Sequence, residues 1–356
     1  MKITAIRTWV EHLPLVRPYT IAFRSIAAVD NVIVELQSEC GLTGLGAASP
    51  EPYVTGETSQ DCQSALTEDA LAWLIGRDVR MLPAHCRELR RRLPTTPAAR
   101  AAVDIALHDL LAQYLELPLV EILGRAHDSL PTSITIGIKP LAETLAEAEE
   151  YLGRGFRVLK VKLGHSLEED LERLHRLREQ FGPTVTLRVD PNQGYDLAGL
   201  VNFISRSASL DIEFLEQPVP VAQMEMLRSL PAELRARLAA DEALLDEADA
   251  LRLVVPPRPC GIFNIKLMKC GGLHPALGIA TIAATAGIKL MWGCMDESVI
   301  SISAALHAAL ASPATRYLDL DGSFDLARDI AEGGFLLEKG CLRTTAAAGL
   351  GVRMAY

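Results

Sequence analysis

Seven polar residues in the later half of the chain, Lys162, Asp190, Glu216, Asp241, Lys266, Cys294 and Asp319, lie 25 to 28 residues apart, each at or beside the end of a short apolar run. Charge at the end of a hydrophobic strand is costly unless something compensates it. Asp190, Glu216 and Asp241 come from three consecutive runs, and three carboxylates brought together repel if all stay ionised. A hard divalent cation relieves that repulsion. An all-oxygen donor set suits Mg2+, one per subunit, with water or substrate in the remaining positions. The alternative for these acids is three separate pairings with surface bases.

Lysines flank the acids. Lys160 and Lys162 form a K-V-K, so both point to one side of a strand. Two ammonium groups that close are expected to depress each other's pKa, which makes a base near neutral pH. Lys266 arrives four runs later. Two amines opposed across a cation suit removal of a proton from carbon on one face and its return on the other, with the enediolate between them stabilised by the metal. A single lysine is more often a snorkelling surface residue, and Lys269, one turn beyond Lys266, is read as one.

The elements that must position these groups follow from periodicity. Eight short runs, Ser133–Gly137, Val158–Leu163, Val185–Asp190, Ile212–Glu216, Leu238–Asp241, Ile262–Leu267, Ile288–Trp292 and Tyr317–Asp319, read as strands. Helical stretches such as Ala142–Leu152, Leu167–Gln180 and Met224–Arg237 separate them. Such alternation specifies a closed parallel barrel, whose active site lies at the C-terminal ends of the strands. The earlier segment differs: Ile3–Glu11, Tyr19–Arg24 and Asn31–Gln37 read as strands, Gly41, Gly44 and Gly46 as turns, and Thr58–Ile75 and Pro97–Tyr114 as helices. The expected fold class is α/β, a modified TIM barrel of (β/α)7β type with an N-terminal α+β capping domain. Residues 1–125 would form the cap, 126–325 the barrel, and 326–356, with a strand at Gly334–Leu337, a segment returning to the cap.

Hydrophobic residues make up 49% of the chain and charged residues 22%, which supports a sizeable core. The formal net charge of −10 lacks the basic footprint of a nucleic-acid partner. Seven cysteines, widely spaced and without a C-x-x-C pair, read as reduced thiols and not as a disulfide framework or zinc site. The N-terminus lacks signal-peptide character. Leu273–Trp292 is interrupted by His274, Pro275 and Lys289, so it reads as a buried helix followed by a strand and not as a membrane span. A cytoplasmic protein, with no membrane or nucleic-acid partner and room for a homo-oligomer, is the expectation.

Taken together, K-V-K at 160–162, D-P-N-Q at 190–193, E-Q-P at 216–218, A-D-E at 240–242 and N-I-K-L-M-K-C-G-G at 264–272 resemble the muconate-lactonizing branch of the enolase superfamily. The resemblance implies Asp190, Glu216 and Asp241 as metal ligands, Lys162 and Lys266 as the acid/base pair, and Lys160 as an auxiliary lysine on the substrate carboxylate. Asp319-Leu320-Asp321 looks like the D-x-D of the dipeptide epimerases. By alternation both acids lie on one side, a receptor for an N-terminal ammonium. The inverted centre would then be the α-carbon of the C-terminal residue of an L,L-dipeptide. The pair could instead cap the turn at Gly322.

By the same resemblance Arg24 lies on a cap loop that closes over the barrel mouth and Thr135 contacts substrate. Their alternatives are a surface ion pair and strand propensity. Met295, Asp296 and Glu297 follow the position that lines the substrate, and Glu51, in S-P-E-P-Y, is read as facing the same cavity. Asp296 could instead cap the Ser298–Leu310 helix. The acids outnumber Arg24, which implies a preference for dipeptides carrying Lys or Arg. Within the superfamily the alternatives are o-succinylbenzoate synthase, N-acylamino acid racemase and muconate cycloisomerase, which have no need of the Asp319/Asp321 pair. Outside it stand a Schiff-base aldolase and a non-catalytic metal-binding barrel.

Overall fold

The computed structural model describes the backbone of residues 1–21 and 24–355, and the side chains of these except 19–21, 24 and 25. Eight parallel strands lie side by side in chain order. They are Ile134–Ile136, Val158–Lys162, Thr186–Asp190, Ile212–Glu216, Leu238–Ala240, Ile262–Ile265, Lys289–Gly293 and Thr315–Asp319. A parallel bridge from Thr132 to Leu318, with Ser133 N–H donating to Leu318 O at 3.0 Å, closes the ring. The strands are short, apolar and buried on both faces, the pattern parallel sheets require. Their register pairs Thr135 with Lys160, Lys162 with Asp190, and Gly293 with Asp319. The strand-end residues therefore arrive at one level.

The helices carry the expected barrel layer with one correction. Leu141–Gly153, Leu167–Phe181 and Leu273–Ala286 form as read. Met224–Arg237 does not: a 3-10 stretch, Val221–Ser229, is followed by a separate short helix, Ala232–Arg235. Pro231 is the reason, since it lacks an N–H and drives Leu230 to an extended ψ of 156°. Among the described residues no helix is long and apolar enough to cross a membrane.

Near the N-terminus, the long antiparallel strands Ile3–Ile21 and Arg24–Ser38 pair with a third, Thr43–Ala48. Gly44 and Gly46, expected to mark turns, lie within that third strand because helix Pro97–Tyr114 packs directly on it. A Cβ on Gly46 would stand 1.8 Å from Ala102 O, and one on Gly44 2.3 Å from Ala106 O. That helix is alanine-rich and buried nearly all round, so strand and helix approach backbone to backbone. Thr58–Ile75 is also divided, into Ser59–Ala65 and Glu68–Leu71, because Thr67 accepts from Ala70 N–H and caps a second helix. The last segment reaches the same long helix, where Leu350 N–H donates to Asp109 Oδ1 at 2.8 Å.

Candidate active site

The second strand delivers two lysines to the mouth in different company. Lys160 is buried, with its Nζ 2.7 Å from Asp319 Oδ2, 2.8 Å from Glu216 Oε2 and 3.2 Å from Asp190 Oδ2. Burial works against its charge, but these three carboxylates prevail and hold its pKa well above the ordinary lysine value. This corrects the expectation of a depressed pKa as it applies to Lys160: the carboxylates around it, which the K-V-K spacing does not show, set its charge. Lys162 Nζ donates to Asp190 Oδ2 at 2.7 Å and to Asn192 Oδ1 at 2.9 Å. Lys266, from strand six, donates to Asp241 Oδ2 at 2.8 Å. Burial lowers its pKa, but Asp241 and Glu216 raise it above the usual range.

The acids show unequal fields. Burial pushes Asp190 up, yet Lys162 and Lys160 bring its pKa below the carboxylate value. Asp241 is likewise lowered, because Lys266 and Lys269 overcome burial. Glu216 is pushed up to about 8 by burial and by the charge on Asp190, which Lys160 only partly offsets. Asn264 Nδ2 donates to Glu216 Oε1 at 2.7 Å. Glu216 Oε2, although close to Lys160, lacks hydrogen-bond geometry, and Glu242 Oε2 is buried without a hydrogen-bond partner.

These features fit a hard divalent cation. The donors are all oxygen, they sit on neighbouring strands, and the buried Glu216 Oε2 and Glu242 Oε2 lack a hydrogen-bond donor. Among the described residues, the one group of three ligand atoms within 4.8 Å of one another is elsewhere, at Cys86, Asp104 and His108. The lysines intervene among the acids at the mouth. The Cys86 group is already spent on hydrogen bonds: Asp104 accepts from Leu273 N–H at 2.6 Å and stands 3.2 Å from His108 Nδ1.

The eighth strand adds Asp319 and Asp321. Asp319 is buried, accepting from Ser133 Oγ at 2.6 Å besides Lys160. Asp321 accepts from Thr135 N–H at 2.7 Å, and burial together with Asp319 pushes its pKa up to about 6. The turn-capping alternative fails, because the 3-10 turn Gly322–Phe324 receives no side-chain cap. Asp325, which sequence reasoning missed, is pushed up to about 8 by burial, Asp321, Asp296 and Glu147.

Asp296 is half-buried and its carbonyl accepts from Ser49 Oγ at 2.9 Å. It is not the cap of the following helix, Val299–Ala311: Ser298 accepts from Ile300 N–H, and Asp329 accepts from Val299 N–H at 2.7 Å. Glu297 turns into its own loop, buried, accepting from Met295 N–H at 3.0 Å, with burial pushing it up to about 7. Met295 and Glu51 are half-buried, on the loops after strand seven and after Thr43–Ala48. The side chain of Arg24 lies outside the described residues. Lys269 is not a surface residue: it is 4% exposed, and its Nζ donates to the carboxylate and carbonyl of Asp241 and to Asn264 O. Its apolar neighbours Leu267, Met268 and Cys270 were the available signal, since all four residues of the short helix Leu267–Cys270 are buried.

Comparison with known proteins agrees with this geometry. Residues 143–355 match the family profile "Enolase C-terminal domain-like", and residues 3–124 match "Mandelate racemase / muconate lactonizing enzyme, N-terminal domain". The L-Lys-D/L-Arg epimerase of Methylococcus capsulatus is 66% identical over 352 residues, 99% of each chain. That of Desulforapulum autotrophicum is 56% identical over 353 residues, again 99% of each. Among solved structures, the dipeptide epimerase from Methylococcus capsulatus complexed with Mg and the dipeptide L-Arg-D-Lys superposes with a TM-score of 0.97 at 66% identity, covering 99% of both chains. The substrate-liganded L-Ala-D/L-Glu epimerase from Bacillus subtilis gives 0.94 at 31% identity, covering 100% of both. An eight-stranded barrel with lysines and carboxylates at one mouth, matched along its whole length by these relatives, establishes that the chain belongs to the mandelate racemase / muconate lactonizing enzyme family of the enolase superfamily.

Proposed function

We propose that this protein is a magnesium-dependent dipeptide epimerase that inverts the α-carbon of the C-terminal residue of L,L-dipeptides and prefers those with Lys or Arg side chains. The observation that carries the reading is the full-length likeness to the Methylococcus capsulatus enzyme in complex with Mg and L-Arg-D-Lys. Residues 1–125 serve as the cap, 126–325 as the catalytic barrel, and 326–356 as the return to the cap.

Asp190, Glu216 and Asp241 hold the metal. When bound, the cation takes up the negative charge that keeps the lysines protonated and stabilises the charge that develops on the substrate carboxylate. Lys162 and Lys266 stand on opposite sides of the α-carbon. The neutral Nζ of one takes the α-proton, the C–H electron pair passes into the carboxylate to give an enediolate, and the ammonium of the other delivers a proton to the opposite face. Lys160 orients the substrate carboxylate. Asp319 and Asp321 receive the N-terminal ammonium, with Thr135 supporting Asp321, and Arg24 closes over the mouth. Asp296, with Glu51, Met295 and Glu297 as lesser contributors, sets the side-chain preference. Burial and neighbouring carboxylates push Asp321 up to about 6 and Asp325 up to about 8, so an entering cation would favour their ionised forms.

The test is incubation with Mg2+ and a dipeptide library in D2O, read by mass spectrometry. Cationic dipeptides should gain one deuterium, and EDTA should abolish the gain. Exchange confined to N-succinylated amino acids would overturn the reading in favour of a racemase.

A further inference from the structure

We propose that Asp170, acting through Tyr195 and the turn from Lys162 to Gly164, is the positioning residue for proton transfer on the Lys162 face. The inference rests on the two-lysine reading above. Asp170 lies in the first turn of helix Leu167–Phe181, is fully buried, and belongs to none of the motifs that mark the mouth. Its Oδ2 accepts two bonds, from Gly164 N–H at 2.9 Å and from Tyr195 O–H at 2.7 Å. Its Oδ1 stands 3.5 Å from the Arg173 guanidinium, which also donates to the carbonyl of Lys162 at 3.3 Å. One buried carboxylate thus links the backbone just after Lys162 to the far end of the loop that follows Asp190.

That linkage bears on the lysine because Nζ is gripped from the same loop. Lys162 donates to Asp190 at the loop's start and to Asn192 within it. The two loops touch backbone to backbone: a Cβ on Gly164 would stand 2.5 Å from Pro191 O, and one on Gly194 2.7 Å from Gly164 Cα. Asn192 and Gln193 take positive φ, 45° and 67°, which costs free energy and persists only where surrounding contacts enforce it. Tyr195 is the clamp at the end of this strained stretch, with its ring against Phe203 and its N–H on Pro218 O. Release of the Asp170 clamp frees the loop to relax and carries Asn192 away from the amine. Lys266 is held from another strand by Asp241, so its face of the substrate is left in place.

The test measures α-proton exchange in D2O from each epimer of one cationic dipeptide separately. Lys162→Ala first identifies the epimer that Lys162 deprotonates. In Tyr195→Phe, exchange from that epimer should fall about tenfold, since a misplacement of about 1 Å can cost far more. Exchange from the other epimer should change less than about twofold, with KM and calorimetric Mg2+ affinity near wild type. Asp170→Asn, which keeps the volume, should show the same one-sided loss more strongly. Equal loss from both epimers, loss in step with Mg2+ affinity, or no loss from either variant would overturn the inference. A wild-type enzyme that exchanges neither epimer would refute the two-lysine reading itself.

Discussion

Lys162 and Lys266 reach the same mouth with the same functional group but through different supports. The Lys162 side chain is 25% exposed and is held by one carboxylate and one neutral amide, both from the next strand and its loop. The Lys266 side chain is 8% exposed and is held by Asp241, whose other oxygen is taken by the buried ammonium of Lys269. One arm is positioned by an ion pair to a buried acid and by a loop amide, the other by an ion pair backed by a second buried ammonium. Buried pairs are costly to break, because the survivor is left uncompensated, whereas a partly exposed arm is cheap to disturb. The contrast places the more exposed support on one face of the substrate and the more buried one on the other.

The largest expected effect tests the contrast directly. Lys162→Ala and Lys266→Ala should each reduce epimerisation by about 10³-fold, while exchange survives from the epimer that the remaining lysine faces. The comparison breaks if either variant loses exchange from both epimers. Next comes stability. Lys269→Met should cost about 3 kcal/mol by urea denaturation, the range for removing one partner of a buried pair. Asn192→Ala should cost about 1 kcal/mol, and equal costs would mean that the two supports are alike after all.

A third prediction separates acid effects on the arms from acid effects on the fold. His307, in helix Val299–Ala311, accepts from Val120 N–H at Nδ1, 2.9 Å away, and burial pushes its pKa down from 6.5 to about 4. The unfolded chain therefore binds a proton in this window that the folded chain refuses. The contribution is present above pH 6.5 and is lost as pH falls toward about 4. Urea midpoints should show a loss of about 2 kcal/mol by pH 5, and His307→Gln should flatten it. Smallest is the specificity effect: Asp296→Ala should shrink the Lys-over-Ala preference in kcat/KM about fivefold, near 1 kcal/mol, while both single-epimer exchange rates on an uncharged dipeptide stay level. An unchanged preference would remove Asp296 from the side-chain reading.

Much of the barrel was legible because it is periodic. Short apolar runs ending in one polar residue locate strand ends closely: Val158–Lys162 and Ile212–Glu216 form where the runs lie. Where the local signal misled, a distant partner had reversed it. Gly44 and Gly46 look like turns until helix Pro97–Tyr114 presses on their strand. Lys269 looks like a snorkelling side chain until Asp241 and Asn264 meet it. Asp325 falls outside the D-x-D, and its link to Asp296 exists only once strands seven and eight pair.

By itself the sequence determined which residues carry charge to which strand ends, since alternation and spacing act over a few residues and survive without knowledge of the fold. It also determined the helix breaks, through Pro231 and Thr67, although helical periodicity runs across both and hides them. Tertiary structure alone decided which charges meet. Ring closure between Thr132 and Leu318 brings Asp319 to Lys160 from 159 residues away, and that approach changes the lysine from a depressed base into a buried ammonium. Electrostatic energies depend on separations through space and on burial, and neither quantity is encoded in the identity of the residue next in the chain.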